Sequence, residues 1–219
     1  MSNEGAKEII AETSSHDIGQ LVRTKCFTGD IEESVHGHIH QELTSWLFFR
    51  KLAADCSRSN ISLHGFARLW ERSAAECLAD FKWLDKYVVS RGGRSTPRAI
   101  GSTPLDWPDG PVGIVGPFEE AVLVQKRLLG DLQRLCSSAD KSGDSALADA
   151  IRSSFMRKET RHVKCLADLL QQVVQASKQP GLGLHLLDRK LRHTDGIVPS
   201  DLFNELSQQQ DDITKIKNI

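Results

Sequence analysis

Residues 94–116 hold four prolines and four glycines and show no helical period, yet they lie between two long amphipathic segments. A connection of this length inside a compact domain needs a physical reason. Helices joined by short loops run antiparallel. A long crossing lets the two flanking helices run parallel, because the chain must travel the full length of a bundle between them. The stretch therefore predicts an all-α bundle with one long crossover between its second and third helices.

The flanking segments agree. A stripe through Ile31, Val35, Ile39, Leu43, Trp46 and Leu47 predicts a first helix over 30–56, with Asp30 and Glu33 forming a capping box. Steps of three and four through Phe66, Leu69, Trp70, Ala74, Cys77, Phe81 and Leu84 predict a second over 63–91, stopped by Gly92 and Gly93. Pro117 suits the first turn of a third helix that runs to about 136–137. Asp144 or Ser145 caps a fourth, striped through Ile151, Phe155, Val163, Leu166, Leu170 and Val173, ending near 177–181. A short apolar helix follows over 182–191. Four helices of this length give a bundle about 40 Å long at about 1.5 Å per residue. The chain divides into an N-terminal arm (1–28), the bundle with its fifth helix (29–193) and a C-terminal extension (194–219).

Composition excludes several classes. The net charge is -1, with 39% hydrophobic and 26% charged residues, so the total charge does not argue for nucleic acid or membrane. The N-terminal stretch has no apolar run of the signal type, and no segment approaches membrane-spanning length. The expected location is cytoplasmic. The five cysteines, Cys26, Cys56, Cys77, Cys136 and Cys165, are scattered and form no CxxC pair. They read as reduced thiols, mostly core. Cys26, in the arm, is the candidate for a link between chains.

"FARLWERSAAECLADFKWLDKYVVSRGG" (66–93) resembles the second helix of the ferritins, including its closing Arg-Gly-Gly, and "PGLGLHLLDRKL" (180–191) resembles the ferritin entry to the fifth helix. The resemblance covers about 30–191 and implies a ferritin-like four-helix bundle that assembles into a hollow shell. Within that family, "HIHQEL" (38–43), the "MSNEGA" start and "IVPSDLFNEL" (197–206) look like the artemins of dormant brine-shrimp cysts. That likeness implies a self-assembled cage without iron storage, acting as a stress chaperone for unfolded protein clients and RNA.

Iron oxidation in a ferritin needs carboxylates and an imidazole converging in the bundle. By the resemblance, Glu42 stands where the first helix supplies a Glu, but Phe49 stands at the Tyr seven residues on. Cys77 and Asp80 replace the bridging Glu and the His of the second helix. Gln125 replaces a Glu of the third, and Glu159 a Gln of the fourth. The implied ferroxidase site is degenerate, so the expectation is no enzyme and no cofactor. Glu42, Glu76, Asp80 and Glu159 remain weak oxygen donors for residual iron. On the surface where light-chain ferritins nucleate mineral, Arg72, Ala75, Glu76 and Ala79 keep only Glu76. At the threefold-pore positions, Asp149 is followed by Arg152, which opposes a cation-attracting field. The alternative is an iron-storage subunit of light-chain type.

Other groupings carry less. His36 and His40 lie four apart and read as a surface pair rather than a zinc or copper site. His185, on the fifth helix, either lines a fourfold channel of the implied shell or is buried against neighbouring chains. Lys126-Arg127 and Arg189, Lys190 and Arg192 are small solvated basic groups. The leucines of the fifth helix suggest a surface buried between subunits. Apolar points in the extension, Ile197, Val198, Leu202, Phe203, Ile213 and Ile216, suggest that it packs inside such a shell.

Overall fold

The computed structural model describes residues 22–101, 111–178 and 181–198. Helix α1 spans Gly29–Cys56, α2 His64–Ser90 and α3 Val115–Ser142, the last preceded by a 3-10 turn, Pro111–Ile114. The fourth bundle helix is interrupted. It begins as α4 (Ser145–Ile151), passes through a π-helical turn (Arg152–Met156) and continues as α5 (Arg157–Ser177). A fifth helix, α6 (Leu182–His193), packs against α2 and α5. The described residues are helical with no strand, as the sequence predicts.

The described part of the crossing segment travels as expected. Arg94 donates its amide to Glu32, Arg98 pairs with Glu33, and the Ala99 carbonyl meets His40. The chain thus leaves the end of α2 beside the start of α1 and runs along α1. Phe118, at the start of α3, then packs on Phe66 and Trp70 at the start of α2, with ring centroids 6.2 and 4.9 Å away. Helices α2 and α3 are parallel. Residues 102–110 of the crossing lie outside the described residues.

Several boundaries differ from the sequence expectation. The N-cap of α1 is Thr28, whose side chain accepts the Ile31 amide, and not Asp30. The tertiary contacts of Glu32 and Glu33 explain the difference: both carboxylates reach the crossing segment and Arg23 instead of closing a capping box. Helix α3 runs to Ser142, where Gly143 adopts a left-handed conformation (φ 76°) that ends it. The π turn has a packing cause. Leu147, Ile151, Phe155 and Glu159 are all buried at successive steps of four. Each such step exceeds the 3.6-residue period by about 0.4, about one residue in all, and a π turn absorbs it.

The division at residue 29 also shifts. Phe27 is buried between the guanidinium groups of Arg23 and Arg91, and Arg91 bonds Thr24 and Asp144. The last residues of the expected arm are therefore part of the bundle, and Cys26 lies half-buried beside Gly143. After α6, Gly196 (φ 78°) lets the chain press against the α2 backbone, where a Cβ would lie 2.6 Å from the Leu69 nitrogen. Val198 is buried below it. The apolar points at Leu202, Phe203, Ile213 and Ile216 lie outside the described residues.

Two apolar clusters form the core. One gathers Phe49, Phe66, Trp70, Phe118 and Leu169, with Phe49 stacked on Trp70 at 5.9 Å. The other gathers Phe27, Ile31, Leu84, Leu132, Leu147 and Phe155. Glu42, Gln125 and Glu159, each under 5% exposed, are buried polar residues that belong to neither cluster.

Candidate functional site

All four bundle helices contribute to a cavity of about 30 Å³, room for one or two waters, lined by Glu42, Glu76, Cys77, Asp80, Gln125, Glu159 and His162. The sequence expectation thus brings together six of its seven bundle positions. Phe49 is the exception: it sits in the apolar cluster against Trp70 and contributes no donor.

The carboxylates are met by cations of the protein itself. The Lys158 ammonium bonds Asp80 and lies 3.2 Å from Glu159, above the Phe155 ring. His162 Nε2 lies 3.1 Å from Glu76, and its Nδ1 3.7 Å from Glu159. The Gln125 amide donates to Glu159. Arg72 flanks Glu76 at 3.5 Å. Glu42 stands apart. Its Oε1 is 3.2 Å from His38 Nε2 but outside hydrogen-bond geometry, and neither residue has a hydrogen-bond partner for its buried polar atoms.

Protonation follows from this placement. Burial raises the Asp80 carboxyl to about 7, against the opposing charge of Lys158 and with the help of Glu42 and Glu159. Burial works against the charge of Lys158, but Glu159 and Asp80 outweigh it and hold the ammonium above the ordinary lysine range. Burial pushes Glu159 up, yet the nearby His162 and the charge of Lys158 hold it below the usual carboxylate value. His162 is raised: Glu159 and Glu76 overcome its desolvation. Burial and the carboxylates of Glu42, Glu159 and Asp80 push the Cys77 thiol well up, so it is a neutral thiol and a poor metal ligand.

Lys158, His162 and His38 were not singled out by sequence. The signal for the first two is a gap in the apolar stripe of the fourth helix: between Phe155 and Cys165 the inward positions carry Glu159 and, partly buried, Lys158 and His162. The expected His36–His40 surface pair is absent. His36 is buried, and His40 turns to the Ala99 carbonyl, because α1 lies under the crossing segment. Asp149 and Arg152 sit away from the cavity and pair with each other at 3.5 Å, while Arg152 also bonds Asp140 at 2.5 Å. Among the described residues, no group of three or more His, Cys, Asp or Glu is arranged to hold a metal ion, and no helix is long and apolar enough to cross a membrane.

The bundle and its crossover are those of a ferritin-like domain. Residues 33–176 match the family model of that domain, and the chain belongs to the ferritin family. It is 27% identical over 168 residues to a chloroplastic ferritin of Phaseolus vulgaris, covering 76% of this chain and 65% of that protein. It is 26% identical over 165 residues to the soma ferritin of Lymnaea stagnalis, covering 75% and 91%. Its structure is similar to that of the ferritin of the green alga Ulva pertusa, with a TM-score of 0.72 and 24% identity over 78% of this chain and 86% of that one, a likeness of fold. The chain spans about two thirds of the length of the chloroplastic ferritin of Phaseolus vulgaris.

Proposed function

We propose that this chain is a subunit of a closed ferritin-like shell that neither oxidises Fe(II) nor stores it, and that serves as a stress chaperone of the artemin type. One observation carries the loss of iron chemistry: the Lys158 ammonium is bound among the carboxylates, between Asp80 and Glu159. A cation would have to displace it, and the Gln125 amide occupies Glu159 from the other side. Of the oxygen donors, Glu42 alone has no cation of the Lys or Arg type beside it, and one carboxylate does not hold iron. No protein cofactor is needed in this reading. Its partners are further copies of the chain, unfolded protein clients and RNA, and its place is the cytoplasm. The exposed Leu182 and Leu186 on α6 support assembly, since burial between copies removes them from water. The resemblance of "HIHQEL" and of the extension supports the chaperone role.

A second reading, an iron-storage subunit of light-chain type, is favoured by the names of the relatives given above, which are ferritins. Glu76 is the carboxylate it would rely on, and Arg72 and His162 already neutralise that group. The test is to mix the purified particle with Fe(II) in air and follow ferric absorbance, then image it. The expected result is oxidation at the buffer rate and no electron-dense core. Saturable oxidation above that rate would overturn the first reading, and a dense core without it would establish the second.

A further inference from the structure

A groove of about 160 Å³ lies between α5 and α6. Its floor is apolar: Leu169, Leu191 and Val198 are buried members of the core cluster, and Leu187 is half-buried against it. Asp168, Gln172 and Lys190 are exposed at its rim. Lys164 pairs with Asp168, whereas Lys190 makes no ion pair among the described residues. Leu182 and Leu186, the leucines offered for burial between copies, do not line this groove. The described chain ends here: Val198 is part of the wall, and residues 199–219 follow outside the described residues.

We propose that this groove is the docking site for the chain's own extension, with the Phe203 ring seated on the apolar floor. Size supports one ring: an apolar cavity of about 150 Å³ holds a benzene molecule, and Phe203 is the one aromatic residue in 199–219. Reach supports it too. Phe203 is five residues past Val198, a stretch that spans at most about 17 Å. Because Val198 is already in the wall, little loop-closure entropy opposes the contact. Leu202, Phe203 and Leu206 fall by spacing on one side of a helical turn, the pattern with which an amphipathic segment enters an apolar groove. Asp201 and Glu205 flank that side, and their charge complements Lys190 at the rim. The contact lies within one chain, so it depends neither on assembly nor on the state of the carboxylate cluster.

The test is hydrogen–deuterium exchange, read by mass spectrometry, on the intact full-length protein. The expected result is that the amides of 201–206 exchange about tenfold or more slowly than those of an open chain. Leu202→Ser/Phe203→Ser should remove that protection and speed exchange over 187–191. Gln172→Trp, which places a ring from α5 at the rim, should free 201–206 while 187–191 stay protected. Ile213→Ser/Ile216→Ser, which changes apolar points outside the docked stretch, should alter neither. Open-chain exchange of 201–206 in the parent, protection that survives the Leu202/Phe203 or the Gln172 substitution, or an equal loss in the Ile213/Ile216 variant would overturn the proposal. Unchanged exchange over 187–191 in the Leu202/Phe203 variant would mean that another copy covers the groove, and would overturn it as well. Gln172 is exposed, and unchanged helicity and particle size confirm that the variants fold.

Discussion

Replacing Lys158 with methionine removes the one ammonium that Asp80 and Glu159 share while keeping most of the side-chain volume. Breaking a buried pair by deleting one partner costs about 3–5 kcal/mol, because a charge is left uncompensated. Lys158 is 24% exposed and Asp80 14%, so water offsets part of the loss and about 3 kcal/mol is the working figure. For a chain of this size that lowers Tm by roughly 6–12 °C. The loss depends on pH. Asp80 already holds its proton up to about 7, so below that value it is neutral and misses the ammonium less. The destabilisation is therefore greatest above pH 7 and shrinks as pH falls. The variant also frees Asp80 and one side of Glu159 from the ammonium, while His162 and Arg72 stay beside Glu76. A divalent ion at about 100 times its Kd should restore about 2.7 kcal/mol. Scanning calorimetry of Lys158→Met and of the parent, at pH 6 and pH 8, with and without Zn²⁺, measures both effects. An unchanged Tm in the variant, or equal Zn²⁺ stabilisation of the parent, would refute the reasoning.

Three further outcomes are expected. His162→Gln should be less stable than the parent by about 1–2 kcal/mol below pH ~6.5, with the gap closing as pH rises through the folded-state value, because the raised His162 loses its proton there; urea unfolding across pH checks this. Phe49→Ala, which empties a ring position buried against Trp70, should cost about 3–5 kcal/mol by the same measurement, and a Phe49→Tyr variant should not acquire Fe(II) oxidation, since the other donors stay occupied. Gly65→Ala should release α6, because a Cβ there would lie 1.9 Å from the Asp188 carbonyl oxygen; faster amide exchange in α6, with the four long helices still protected, is the expected signature.

Much of the architecture is written in local chemistry. Helical period, Asp144 as a cap, the Gly92 stop and the length of residues 94–116 give four helices and the crossover with ends within a few residues, because each signal acts over one turn of chain. What fails is what depends on contact across the bundle. Thr28 and Asp30 are both good caps by type, and only the crossing segment, by drawing Glu32 and Glu33 away, decides between them. The π turn was legible only as consecutive steps of four, and those become informative once Leu147, Ile151, Phe155 and Glu159 are known to be buried together. The positions of Glu42, Cys77, Asp80, Gln125 and Glu159 followed from the resemblance. Lys158 and His162 did not, since a basic residue beside a glutamate on a helix is ordinarily solvated.

The central cluster is a consistent set of exchanges. Four carboxylates in one bundle centre repel each other unless a cation stands among them, and a bound metal is one solution. Here Gln125 is neutral and donates to Glu159, removing one negative charge and supplying an N–H in its place. Lys158 and His162 provide the positive charge from the chain itself. Burying such a network gives little net stability over well-packed apolar side chains, so stability alone does not account for it. Geometry does. The π turn widens α4–α5 by about one residue just before Lys158, and Asp80, Glu76 and Gln125 are the partners that seat the helix beyond that turn. An apolar centre would accept α5 in neighbouring registers; the pairing of Lys158 with Asp80 and of His162 with Glu76 accepts one. These residues thus act as the lock of the fourth helix, and the reading proposed above rests on their oxygens being in use within the chain.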